Sequence, residues 1–202
     1  MDMGGAASSS SPPTSSTTPA ESAAGYSNNQ LATSIATQTG TQLAADSPMY
    51  VPTPQAQAEG SANPPAARVD TSTDSISFTS KAVSFTVVAV PPGGPDMTFR
   101  IGGLVNPTLI VPVGATVRVK FINADTDQAH GWQVANTRPP FQFHTGGAAF
   151  PGAFARALGD PTISGDGTET ITFVADHAGR YQYVCPMPGH AQMGMHGAFI
   201  VS

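Results

Sequence analysis

From Asp70 onward, apolar and polar residues alternate. Val83, Phe85, Val87 and Ala89 interleave with Ser84, Thr86 and Val88. Val117, Val119 and Phe121 interleave with Arg118, Lys120 and Ile122, and Ile171 and Phe173 with Thr170 and Thr172. Tyr181 and Tyr183 lead into Cys185, and Phe199 and Val201 close the chain. A period of two marks half-buried strands, because successive strand side chains point to opposite faces. Turn formers separate the runs: Pro91-Pro92-Gly93-Gly94-Pro95, Pro112-Val113-Gly114, Gly165-Asp166-Gly167 and Ala178-Gly179. Roughly seven or more short strands punctuated in this way predict an all-β fold, an antiparallel β-sandwich with Greek-key connections. No helix-period segment of useful length lies between them, which argues against a parallel α/β sheet. One irregular stretch, about 137–166, carries Phe141, Phe143, Phe150 and Phe154. Such a stretch inside a compact domain is usually functional or partly structured. It reads equally as a flap covering one end of the sandwich and as a surface insertion with its own small cluster.

The first 69 residues differ. They are rich in Ser, Thr, Ala, Gly and Pro, with Asp2, Glu21, Asp46, Glu59 and Arg68 as their only charges. Such a composition buries too little apolar area to offset chain entropy. Residues 1–69 are therefore expected to be a low-complexity extension, with 1–25 and roughly 51–67 as disordered or linker segments. Leu31, Ile35 and Leu43 within 28–45 predict one short helix docked on the main domain. Residues 70–202 form that domain.

Charge narrows the function. Only 10% of the 202 residues are charged, and the formal net charge is −5. Lys81 and Lys120 are the only lysines, which argues against nucleic acid as a partner. No apolar run approaches the roughly 18 residues a transmembrane helix needs. No signal peptide is visible at the start of the chain. Acid unfolding proceeds largely by protonating paired carboxylates; a chain with few of them is expected to tolerate low pH.

The chemistry concentrates at Tyr183-Val184-Cys185-Pro186-Met187-Pro188-Gly189-His190-Ala191-Gln192-Met193-Gly194-Met195. A thiolate, an imidazole and a thioether recur there at five-residue steps, between two strand-like runs. Cys185 is the only cysteine, so no internal disulfide forms. Soft sulfur with imidazole suits copper, and a His₂Cys set with a weak axial Met is the blue-copper pattern. Pro186 and Pro188 fix φ and Gly189 permits an unusual turn, so the loop is pre-formed. His130, at a strand start, is the leading second imidazole; His144, His177 and His196 are the alternatives. Met195 keeps the spacing from His190, with Met187 and Met193 as alternatives. Taken singly, a Cys or Met is usually core and a His usually a surface residue; the joint spacing favours metal. A cysteine hydrolase built on Cys185 and a histidine base fits less well, as does a reductase needing further metal ligands.

These residues resemble the cupredoxins. The likeness rests on Asn106-Pro107-Thr108-Leu109-Ile110-Val111-Pro112-Val113-Gly114-Ala115-Thr116-Val117, on Phe121-Ile122-Asn123 seven residues before His130, and on the Cys185–Met195 loop. It covers about 70–202. The resemblance implies one type 1 copper, with His130, Cys185 and His190 as equatorial ligands and Met195 as the axial one. It implies an electron carrier rather than an enzyme, periplasmic or otherwise extracytoplasmic and often from acidophiles. The expected partners are redox proteins such as cytochromes, docking briefly near His190 on a monomer. Met187, Pro186, Pro188 and Met193 are expected to form an apolar collar around an exposed His190 ring edge. Pro186 and Pro188 offer no N–H to the cysteine sulfur, which with the apolar lining is read as favouring Cu(I) and a high potential. Copper storage or delivery is the competing function. Three positions depart from the most similar family pattern: Gly131 stands for a serine after the first histidine, Asp125 for an asparagine five residues before it, and His196 for an aromatic.

Overall fold

The computed structural model describes residues 50–202; the helix expected at 28–45 lies outside them. In chain order the elements are β1 (Tyr50–Val51), α1 (Thr53–Ser61), β2 (Ala67–Asp70), β3 (Ser75–Phe78), β4 (Ala82–Ala89), β5 (Phe99–Ile101), β6 (Leu104–Val105), β7 (Thr108–Val111), β8 (Ala115–Asn123), β9 (His130–Ala135), β10 (Phe154–Leu158), β11 (Asp166–Ala175), β12 (Gly179–Val184) and β13 (His196–Val201). They form two sheets, ordered β1-β11-β8-β4-β5-β6 and β10-β9-β12-β13-β7-β3-β2.

The predicted alternation sets which face is inward. In β8, Ala115, Val117, Val119 and Phe121 are fully buried while Thr116 and Arg118 face solvent. The two inner faces meet around Trp132, Phe99, Phe121, Tyr183 and Phe199, none of which is solvent-accessible. The all-β sandwich is as expected, but its pairing is mixed rather than purely antiparallel. β4 runs parallel to β8, and β7 runs parallel to both β3 and β13. These pairs join strands distant in sequence, and no hairpin forces them to run in opposite directions.

Two segments are more ordered than composition suggests. The stretch 51–67, expected as linker, carries α1. This helix shows no apolar stripe to read, because only Ala56 and Gly60 are buried. It is held by packing instead. Val51 and Ala56 cluster with Val88, Ile122 and Ala124. Lys120 Nζ pairs with Glu59 at 2.8 Å, and Thr53 Oγ1 donates to Asp166 Oδ1 at 2.8 Å. Gly60 permits the approach, since a Cβ there would lie 2.7 Å from Val88 Cγ2. The Phe-rich stretch contains β10, which pairs with β9. Phe150 stacks on Phe173 in the core, and Phe141 packs with Ala135, Val184 and Ala191. Both readings of this stretch thus hold in part: Phe150 seals the sandwich, and Phe141 makes a satellite cluster.

Candidate metal centre

β12 delivers Cys185 to one end of the sandwich, and the loop that follows folds back on itself. Cys185 N donates to Met195 O at 3.0 Å, Met195 N to His190 O at 3.0 Å, and His190 N to Met187 O at 3.2 Å. Gly189 takes φ +83° at the turn, where any Cβ would be strained, and its N–H donates to Phe143 O. The flap is therefore bonded to the loop. β9 starts at His130 and runs antiparallel to β12, with Val184 opposite Gln133. That register brings the first residues of β9 against the cysteine end of β12.

Three donor atoms converge. His130 Nδ1 lies 3.8 Å from Cys185 Sγ, His190 Nδ1 lies 3.5 Å from Sγ, and the two Nδ1 atoms are 3.2 Å apart. A point equidistant from all three is about 2.0 Å from each, the length of a metal–imidazole bond. Three lone-pair atoms facing one another in a buried site lack enough protons to satisfy each other. One cation at their centre satisfies all three. Met195 is fully buried in the same apolar cluster as Cys185.

The surroundings tune these donors. Burial pushes the Cys185 thiol up to about 11, against hydrogen bonds from the backbone of Gly131 and Met187. The sulfur thus has N–H donors although Pro186 and Pro188 offer none. They come from one residue beyond Pro186 and from β9 across the site. Hydrogen bonds to a copper-bound sulfur draw off its electron density and act in favour of Cu(I). Burial, then the neighbouring His130, lowers the pKa of His190. Burial also opposes the charge on Asp125, but hydrogen bonds from His130 and Asp127 outweigh it and hold the carboxyl below its usual value.

The other histidines lie apart from this cluster. His144 is exposed beside Phe143, His177 pairs with Asp176 in solvent, and His196 packs its ring on Phe141 at 4.5 Å. Met193 is 57% exposed, and Met187 packs partly buried against the core. His190 itself is only 8% exposed, less open than its loop position suggests. Phe143 covers one side of the turn before it: the ring lies so close that a Cβ added to Gly189 would stand 3.2 Å from its edge, while its own outer face stays exposed.

Gly131 is no simple loss of a serine. A Cβ there would meet Ala155 O and Pro186 Cγ, each at 2.9 Å. β10 and the loop close over it and leave room only for glycine.

Sequence reasoning missed one positioning residue. Asn106 Oδ1 accepts from Phe99 N at 2.8 Å, and its Nδ2 donates to Gly194 O at 3.0 Å. It ties the Met195 side of the loop to β5. The only sequence signal was its place before Pro107, within the motif shared with cupredoxins.

A two-sheet sandwich carrying a buried His, Cys and His with a core Met at one end is arranged like a type 1 copper site. The chain belongs to the copper-binding proteins of the plastocyanin/azurin family, whose model matches residues 96–202. Within that family it is similar to rusticyanin from Acidithiobacillus ferrooxidans, at 36% identity over 132 residues, 63% of this chain and 81% of that protein. Auracyanin-A from Chloroflexus aurantiacus is 31% identical over 108 residues, 46% of this chain and 64% of its own. The solved structure of rusticyanin from Thiobacillus ferrooxidans superposes with a TM-score of 0.67 at 32% identity, over 79% of this chain and all of that one.

Proposed function

We propose that this chain carries single electrons between redox proteins, with copper held by His130, Cys185 and His190 and by Met195 as the weak axial donor. Copper supplies the one-electron couple. The protein supplies a rigid, dry setting. Cys185 and His130 have no solvent exposure, and the loop between Cys185 and Met195 is closed by its own backbone hydrogen bonds. A site so constrained reorganises little when its charge changes. The observation that carries this reading is the convergence of the three donor atoms. No enzymatic step is assigned to the chain.

Of the three donors, only His190 reaches the surface. A partner therefore approaches over its ring edge, through the collar of Met187, Pro188, Met193 and Phe143. Apolar patches of this kind suit brief docking at the small end of interface size. The proposed setting is extracytoplasmic, the partners are redox proteins such as cytochromes, and the working unit is a monomer. The test is an absorption and EPR spectrum after adding Cu(II). An intense cysteinate-to-copper band is expected. A colourless Cu(I) form open to exchange would favour storage or delivery instead.

We also propose a high potential and acid tolerance. Burial penalises the charge on Glu59, but hydrogen bonds from Lys120, Gln55 and Thr86 prevail and hold it below its ordinary 4.5. Its contribution to stability is present above that value and is lost as pH falls through the lowered one. Asp166 behaves oppositely. Burial pushes it above 3.8, against the Thr53 hydrogen bond, so the fold gains stability as pH falls through that raised value. Asp70 and Asp125, also held low, lose their contribution as Glu59 does; it is the small number of such carboxylates that leads us to expect the far-UV circular dichroism to persist to about pH 3. Ordinary collapse near pH 4 would contradict the acid-tolerant reading.

A further inference from the structure

Asp125 Oδ2 lies 2.6 Å from His130 Nε2, with the two side chains 5% and 0% exposed. This is the edge of the imidazole opposite the one that faces Cys185 and His190. We propose that the Asp125 carboxylate fixes which nitrogen of His130 carries the proton and, as a buried anion, holds the reduction potential below the value the same pocket would give with a neutral partner. This rests on the reading of His130 as a copper ligand.

The loop is built to aim the carboxylate. Asn123, fully buried at the end of β8, accepts from Asp125 N through Oδ1 at 3.3 Å. Its Nδ2 lies 2.9–3.0 Å from the carbonyl oxygens of Gln128, Leu158 and Gly159, which staples the loop to the end of β10. Asp127 N donates to Asp125 Oδ1 at 3.2 Å. Oδ1 is thus held by the backbone and Oδ2 is left for the histidine. Among the described residues, no lysine or arginine pairs with Asp125; its hydrogen-bond partners are His130 and the neighbouring Asp127, so no cation offsets its charge beside the imidazole.

Two consequences follow from elementary chemistry. A carboxylate can only accept, so Nε2 carries the proton and the Nδ1 lone pair is free for metal. The anion also makes the imidazole a stronger donor and adds a nearby negative charge, and both effects stabilise Cu(II) over Cu(I). The N–H groups of Gly131 and Met187 on the sulfur push the other way. Asp125 is therefore a positioning residue that counterbalances them, and a neutral residue at 125 would leave the high-potential tendency unopposed.

The test has a metal-free and a copper-loaded arm. In the metal-free wild-type protein, ¹⁵N NMR of His130 is expected to show a protonated Nε2. A proton on Nδ1 with a bare Nε2 overturns the proposal, whether or not the protein binds copper. In the copper-loaded protein, Asp125→Asn keeps an acceptor oxygen but removes the charge. It is expected to stay blue and to lower the preference for Cu(II) over Cu(I) at least tenfold, a rise of about 59 mV for one electron. An unchanged potential in a blue Asp125→Asn protein overturns the electrostatic role. A wild-type protein that never turns blue defeats the copper reading instead, while the tautomer arm still reads out.

Discussion

Cys185→Ser is expected to abolish the visible band of the copper-loaded protein altogether and to leave the fold standing. The band needs a thiolate bonded to Cu(II), and Cys185 is the only sulfur of that kind in the chain. A serine hydroxyl is a harder and far less acidic donor, and it does not replace a soft thiolate toward copper. The two side chains are close in size, so the buried position at the end of β12 accepts the change with little repacking. Absorption and EPR spectra after Cu(II) addition check the first part, and a thermal melt of the metal-free variant checks the second. A Cys185→Ser protein that stayed blue would sink the assignment. The wild type offers a companion measurement. Burial holds the free thiol up to about 11, so metal entry must displace its proton. Once loaded, the thiol is expected to resist alkylation by iodoacetamide.

The second large effect is on stability. Trp132→Ala is expected to destabilise the domain by about 3–5 kcal/mol. Trp132 is fully buried at the centre of the sandwich, two residues beyond His130 on β9. Its ring stacks on Tyr183 at 6.0 Å, meets Phe85 edge-on at 6.1 Å and touches Phe173 at 6.5 Å. Removing it opens a cavity bordered by aromatic rings from both sheets, and such walls collapse poorly. Trp132→Phe separates packing from polarity. Among the described residues the buried indole Nε1 has no hydrogen-bond partner, so phenylalanine removes an unsatisfied donor along with part of the volume and is expected to cost well under half as much. Urea unfolding of the two variants gives the comparison. A Trp132→Ala loss under about 1 kcal/mol would show that the two sheets do not depend on this contact.

The features legible in the sequence share a cause. Strand alternation in β4, β8 and β11 is a local pattern, because burial of one face imposes a period of two on neighbouring residues. The Cys185–Met195 loop is local too, and its prolines, Gly189 and five-residue spacing stand in one short stretch. α1 escaped notice because its packing depends on small residues, Ala56 and Gly60, whose fit is decided by Val88 on another strand. The N–H groups on the cysteine sulfur escaped for a related reason, since one of them comes from Gly131, more than fifty residues away. Asp125 stood out as a departure from the family pattern, yet nothing in its position in the chain said that it would grip the far edge of His130.

What the chain order alone determined was the all-β class, the strand faces and the thiol-imidazole-thioether loop, because each is written within a few consecutive residues. Tertiary structure decided the rest: the parallel pairs, the docking of α1, the near-burial of His190, and the meeting of His130 with a thiol fifty-five residues further on. Those outcomes depend on which surfaces pack together across the two sheets, and no local periodicity encodes a contact between segments that meet only once the sandwich closes.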